Sequence, residues 1–240
     1  MDKLKTGAQK LGINLSPQQL ELFETYYREL IDWNSRINLT SIINYEEVQI
    51  KHFLDSLTIT TAISPKDTGH PLRVIDIGTG AGFPGIPFKI IQPDIKLTLL
   101  EATVKKTKFL EHLTNKLDLK DVIILPARAE NAARDIRYRD KFDIVLSRAV
   151  AEMPALAELT LPFCTTGGRC ILQKKGDISK EQTQSEKAIT LLGGFFREII
   201  PVDIEGLSDN RKLVIIDKVK ETPAFYPRRP GMPVKRPIKG

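Results

Sequence analysis

The run Asp76-Ile77-Gly78-Thr79-Gly80-Ala81-Gly82-Phe83-Pro84-Gly85 follows directly on the apolar stretch Leu72-Arg73-Val74-Ile75. Glycine admits positive φ and lets a backbone approach a ligand closely, and a helix N-terminus after such a loop favours negative charge. A strand that runs into alternate glycines is therefore suited to a nucleotide-bearing cofactor. From Gly80 the string matches the dinucleotide fingerprint G-x-G-x-x-G; from Asp76 it reads acidic-x-Gly-x-Gly-x-Gly, the loop of S-adenosylmethionine enzymes. A purely structural glycine turn is the third reading. It is the weakest, because glycines at a strand end loosen a fold unless a ligand fills the loop.

Further polar residues fall at strand ends. The segment Leu97–Leu100 ends in Glu101-Ala102-Thr103, and Glu101 lies 23 residues after Gly78. That is close to the ~20-residue offset at which an acidic side chain meets ribose hydroxyls in such folds. The bland alternative is a solvated carboxylate. Ala129 and Glu130 follow the next strand and suit contacts to an adenine, or else an ordinary helix start with Glu in its first turn. Phe142–Leu146 leads into Ser147-Arg148-Ala149. Exocyclic-amine methylation typically uses Asn or Asp followed by Pro-Pro here, and carbon-5 methylation needs a cysteine; neither motif is present. Arg148 offers instead a planar fork for a base edge or a carboxylate. Guanine N7 carries an in-plane lone pair and no proton, so its methylation needs orientation without a general base.

Positioning those residues requires alternating units. Strands are expected at Arg73–Ile77, Ile95–Leu100, Val122–Leu125, Phe142–Leu146, Arg169–Gln173, Phe195–Pro201 and Lys212–Lys218. Helical patterns separate the first six, around Ile86–Ile91, Val104–Leu117, Glu130–Arg137, Met153–Leu161 and Lys180–Leu192. Such alternation predicts a mainly parallel, doubly wound α/β sheet. The last two strands are joined by a short link near Leu207–Asn210, which predicts an antiparallel C-terminal hairpin. A dinucleotide fold would continue with a second parallel half, so the hairpin favours the seven-stranded S-adenosylmethionine-dependent methyltransferase fold. Before the sheet, Ser16-Pro17-Gln18-Gln19 reads as a capped helix start, and Leu20, Phe23, Tyr27, Leu30 and Ile31 follow at helical spacing. Tyr45–Ile63 is a second helical region. The domains expected are a helical extension over 1–70, the cofactor-binding domain over 71–220 and a tail over 221–240.

The chain has 240 residues and a net charge of +6. Five basic residues, Arg228, Arg229, Lys235, Arg236 and Lys239, stand in a tail from Thr222 without an acidic residue, and the remainder is nearly neutral. The tail also carries five of the fifteen prolines, which predicts extended, polyproline-like backbone. It suits RNA phosphates, remote from the cofactor. A solvated tail, or a clasp packed through Phe225 and Tyr226, is the alternative. Two cysteines and three histidines without ligand spacing predict no disulfide framework and no metal. The longest uncharged stretch, Ile77–Phe88, is rich in Gly and Pro, so no membrane span is expected. Met1-Asp2-Lys3-Leu4 predicts no secretory leader, hence a cytoplasmic protein.

Trp33-Asn34 with Ile37-Asn38-Leu39-Thr40, Lys51-His52-Phe53-Leu54-Asp55-Ser56, the Asp76–Gly85 loop and Ser147-Arg148-Ala149 together resemble the ribosomal RNA small-subunit methyltransferase G family, formerly glucose-inhibited division protein B. The likeness spans essentially the whole chain, including Tyr226–Gly231, an ending that only some members share. It implies methyl transfer from S-adenosylmethionine to N7 of a guanine in 16S rRNA, near the decoding site, on the rRNA or a small-subunit precursor. It implies cofactor contacts from Asp76, Gly78, Gly80, Gly82, Phe83, Glu101, Ala102, Thr103, Ala129, Glu130 and Arg148. His52 and Asp55, which share a face if helical, then have a role at the rim of the cofactor and base pocket, the alternative being a buried structural hydrogen bond. Lys105, Lys106 and Lys108 join Arg228, Arg229, Lys235 and Arg236 as expected RNA contacts, against the plainer reading of a solvated face. A methyltransferase of the same fold with another substrate, and an RNA-binding module without turnover, are the competing functions.

Overall fold

The computed structural model describes residues 1–63, 71–148, 151–207 and 209–238. Ala149, Lys239 and Gly240, the stretch 64–70 over which the sequence pattern changes, and one residue of the 207–210 link lie outside them.

The strands are β1 (Arg73–Ile77), β2 (Lys96–Glu101), β3 (Val122–Pro126), β4 (Phe142–Arg148), β5 (Cys164–Lys174), β6 (Gly194–Pro201) and β7 (Lys212–Lys218). They form one sheet in the order β3-β2-β1-β4-β5-β7-β6. The first five are parallel, and β7 enters antiparallel between β5 and β6. Between them run α5 (Gly85–Ile91), α6 (Val104–Lys116), α7 (Ala129–Ala132), α8 (Met153–Thr160) and α9 (Ser179–Leu191). The strand period of two divides the core. Val74, Leu97, Leu99, Leu146, Ile171 and Ile215 face one layer, while Ile75, Ile77, Val145, Cys170, Leu172 and Val214 face the other. The central strands β1, β2 and β4 are buried on both faces, as their near-continuous apolar sequences require.

The front end consists of α1 (Asp2–Lys10), α2 (Pro17–Asn34), α3 (Tyr45–Val48), a π-helical stretch Gln49–Leu54, α4 (Asp55–Leu57) and a 3-10 turn Thr58–Ala62. Ser16 and Gln19 close the expected capping box. Leu4, Phe23, Tyr26, Leu30 and Phe53 join the same core cluster as Val74 and Leu97. The apolar stripe of α2 holds at Phe23 and Leu30, with Leu20 and Tyr27 half-buried against the core, and Tyr26 joins it fully buried. The second helical region is not one helix. Thr58, Thr60 and Thr61 each bond the carbonyl three residues back and tighten its end. Glu130–Arg137, expected as a helix, shortens to the four residues of α7.

The tail departs most from expectation. Its carbonyls are gripped by two arginines that follow α7: Arg139 reaches Thr222 O at 2.6 Å and Tyr226 O at 2.8 Å, and Arg134 reaches Pro227 O at 2.7 Å. Met232–Lys235 forms a one-turn helix, α10, which Pro233 tolerates because it stands in the first turn. Among the described residues, no helix is long and apolar enough to cross a membrane, and no group of three His, Cys, Asp or Glu could hold a metal ion.

Candidate active site

β1 delivers the glycine loop at the carboxyl edge of the sheet, where ligands bind in open α/β folds. Gly78, Gly80 and Gly82 all take positive φ, at 68°, 62° and 100°. A Cβ on Gly80 would meet nothing nearer than Gly78 O at 4.0 Å, so that position faces open space. One on Gly82 would lie 2.7 Å from the Tyr26 hydroxyl oxygen. The loop is braced from the front end, for Tyr26 donates to Ala81 O at 2.5 Å.

Beneath the loop, Asp76 Oδ2 accepts from Thr79 Oγ1 at 2.7 Å and from the Gly85 amide at 2.9 Å. Its Oδ1 is buried without a hydrogen-bond partner. Burial raises the Asp76 carboxyl to about 7, against the lowering effect of those hydrogen bonds and of Arg148. At the end of β2, Glu101 accepts from the Gly80 amide at 3.0 Å and the Thr103 amide at 2.8 Å. An orphaned carboxylate oxygen, a glycine facing open space and a second carboxylate beside it fit a ligand that carries both a cation and hydroxyl groups. S-adenosylmethionine has both.

The second half of the site centres on Phe83, which is 5% exposed. His52 stacks on it at 4.6 Å and 20°, Tyr26 at 5.3 Å and 13°, and the Arg148 guanidinium carbon lies 4.8 Å from its centroid. Arg148 Nη1 donates to Asp55 Oδ2 at 3.1 Å. Arg211, from the link before β7, has its Nε 3.6 Å from Asp55 Oδ1 and 3.1 Å from Asp209. Burial pushes the Asp55 carboxyl up, and the two guanidinium groups pull it down. His52 is held at about 3 by burial and by Arg148, so its imidazole is neutral. Its Nε2 is 2.7 Å from Thr40 Oγ1, and its Nδ1 is 3.5 Å from Arg148 Nη2. The cluster holds a fixed cation over an aromatic face and has no uncommitted base.

His52, Asp55, Phe83 and Arg148 are brought together, while Asp76, Gly78, Gly80, Gly82, Glu101, Ala102 and Thr103 flank them. Lys105 is exposed and Lys106 half-buried at the start of α6, just past Thr103. Two expectations change. Glu130 is 5% exposed and its Oε1 accepts from the Gly231 amide at 2.8 Å, so one oxygen is committed to the tail. Arg228 does not stand free for RNA: its guanidinium is forked onto the fully buried Glu158, with Nη2 at 2.6 Å and Nε at 3.0 and 3.1 Å. Arg229, Lys235 and Arg236 are exposed and line a groove of about 430 Å³ on the tail. Sequence reasoning missed Tyr26, Arg211 and Glu158. For Tyr26 the i+3 spacing from Phe23 was a usable signal. Arg211 and Glu158 act only through contacts distant in sequence.

A family model described as GidB, rRNA small subunit methyltransferase G, matches residues 19–213. The ribosomal RNA small subunit methyltransferase G of Dehalococcoides mccartyi (strain CBDB1) is 52% identical over 238 residues, 99% of this chain and 100% of that one. Its counterpart of the same description in Roseiflexus castenholzii (strain DSM 13941 / HLO8) is 47% identical over the same shares. Among solved structures, precorrin-6y C5,15-methyltransferase from Geobacter metallireducens GS-15 gives a TM-score of 0.54 at 15% identity, covering 78% of this chain and 96% of that one. That likeness is one of fold.

Proposed function

Because this chain belongs to the rRNA small subunit methyltransferase G family, we propose that it transfers a methyl group from S-adenosylmethionine to N7 of a guanine in 16S rRNA, near the decoding site. The observation that carries the reading is the pairing of an acid-and-glycine cofactor cradle with a neighbouring aromatic–guanidinium platform. The cofactor supplies an electrophilic methyl on a sulfonium.

Asp76 offers its unpartnered Oδ1 to a cationic group, and Glu101 offers lone pairs to a ribose diol. Gly80 leaves room for close approach. Arg148 orients the base edge or the cofactor carboxylate, and Asp55 holds its fork in place. N7 attacks through its lone pair and releases no proton, so orientation supplies the catalysis. A neutral His52 and an Asp55 already paired with two guanidinium groups agree with that requirement. An exocyclic amine would need a proton taken away. Lys105, Lys106, Arg229, Lys235 and Arg236 are the proposed phosphate contacts; Arg228 is withdrawn from that set.

A strain lacking this protein should lose one 7-methylguanosine from its 16S rRNA. Wild-type protein should restore it, and Arg148→Ala should restore it ~10²-fold more slowly. Purified protein offered naked 16S rRNA and a small-subunit precursor separates the two substrate forms. An unchanged modification map in the deletion strain would overturn the reading, and a lost mark at another atom would revive a same-fold enzyme with a different substrate.

A further inference from the structure

Beyond the carbonyls held by Arg134 and Arg139, the tail from Arg228 on meets two carboxylates that sit in the first helices after β3 and after β4. Glu158, in α8, is fully buried and takes four hydrogen bonds from Arg228, one of them from its amide at 2.7 Å. Removing Arg228 from it would leave a buried charge without compensation, a state that is strongly disfavoured. Glu130, in the first turn of α7, accepts from Gly231 at φ 82°. Gly231 immediately precedes α10, whose Pro233 is buried.

The Glu130 contact is next to the cofactor cradle. Glu101 pairs in register with Pro126 at the end of β3, and Ala129 and Glu130 begin the helix that follows. The tail therefore links the last turn of α8, at Glu158, to the first turn of α7, at Glu130. With the tail released, Glu130 would lose the donor that fixes it, and Glu158 would lose its cation. The sequence alone places the tail away from the chemistry; the structure sets it against a residue expected at the adenine.

We propose that the tail segment Arg228–Lys235 is a wall of the cofactor site, latched by Glu158 and Glu130. This rests on the reading of Glu130 as an adenine-side residue given above. A ligand that needs Glu130 in its latched position binds only the docked population, so its apparent affinity falls with the docked fraction. Linkage is reciprocal: bound cofactor holds the tail down by the same factor.

The test uses the full chain and S-adenosylhomocysteine, without RNA. Trypsin reports docking, because the bonds after Arg228 and Lys235 are cleavable whereas those after Arg229 and Arg236 precede proline. Saturating S-adenosylhomocysteine should slow tail cleavage of the wild type. Glu158→Gln should clip faster and bind the ligand ~10-fold more weakly by calorimetry, with its circular dichroism retained. Gly231→Ala strains the left-handed backbone that aims its amide at Glu130, meets no steric clash and leaves the Glu158–Arg228 pair intact, so it should also speed clipping and weaken binding, and the test survives if Glu158→Gln fails to fold. Wild-type affinity in the folded variants, with clipping indifferent to ligand, would overturn the latch while sparing the cofactor assignment. No binding to the wild type would overturn the cofactor assignment and the latch with it.

Discussion

Asp76 is a fully buried carboxyl with one oxygen satisfied twice and the other not at all. Raised to about 7, it favours the proton in the folded protein. Its contribution to stability is fully present below the ordinary carboxylate range and is lost as pH rises through about 7. A cation brought beside it reverses the preference, because the carboxylate then gains a partner. Affinity for S-adenosylhomocysteine should therefore climb as pH rises from about 6 to about 8 and level off above, with proton release on binding at the lower pH. Asp76→Asn should bind weakly and without that slope. Calorimetry in two buffers of different ionisation enthalpy reads both quantities. A flat profile in the wild type would remove Asp76 from cofactor binding.

At the level of elements, neighbouring glycines in the loop after β1 should respond differently. Gly80→Ala places its Cβ in open space at a φ of 62°, a left-handed conformation that costs about 1–2 kcal/mol. The variant should fold, melt slightly lower and lose cofactor affinity. Gly82→Ala drives its Cβ to 2.6 Å from Ile86 and 2.7 Å from the Tyr26 oxygen, so its main loss should be stability. Melting curves and calorimetry on the two proteins separate the roles, and equal cofactor loss with equal melting would refute the division. Much of this was legible beforehand. The apolar run of β1, the glycine run and the hairpin ending are local patterns, and each specifies its element. The aromatic stack was not, because Tyr26, His52 and Phe83 come from three separate segments and share no spacing. After the short α7, Arg134 and Arg139 turn to tail carbonyls 83 to 93 positions later, contacts no local window contains. The tail misled for the same reason: its composition describes a free chain, but Arg228 and Gly231 meet buried carboxylates 70 and 101 positions away.

For the whole molecule, a docked tail makes its remaining cations a fixed surface. Arg229, Lys235 and Arg236 are exposed on the segment that meets Glu130, while Lys105 and Lys106 open α6 just past Glu101. Phosphates held at both places would set the register of an RNA strand over Arg148. Replacing Arg229, Lys235 and Arg236 together with alanine should weaken binding to rRNA and lower its salt slope by ~2 units. Melting temperature should stay near wild type, since none of the three makes the latch. An unchanged salt slope would leave the groove without an RNA role.

The position of β7 carries a further consequence. It is the last strand in the chain, yet it lies between β5 and β6. A chain growing from its N-terminus thus produces β6 before the partner that attaches it exists, while β1 to β5 can already pair. Arg211 is the residue before that final strand, so the second guanidinium facing Asp55 arrives only when the hairpin closes. A nascent chain halted before Lys212 carries the glycine loop, Glu101 and Arg148 but lacks both the inner strand and the completed charge balance at Asp55. Synthesis order therefore withholds a finished active site until the last strand of the sheet has been made.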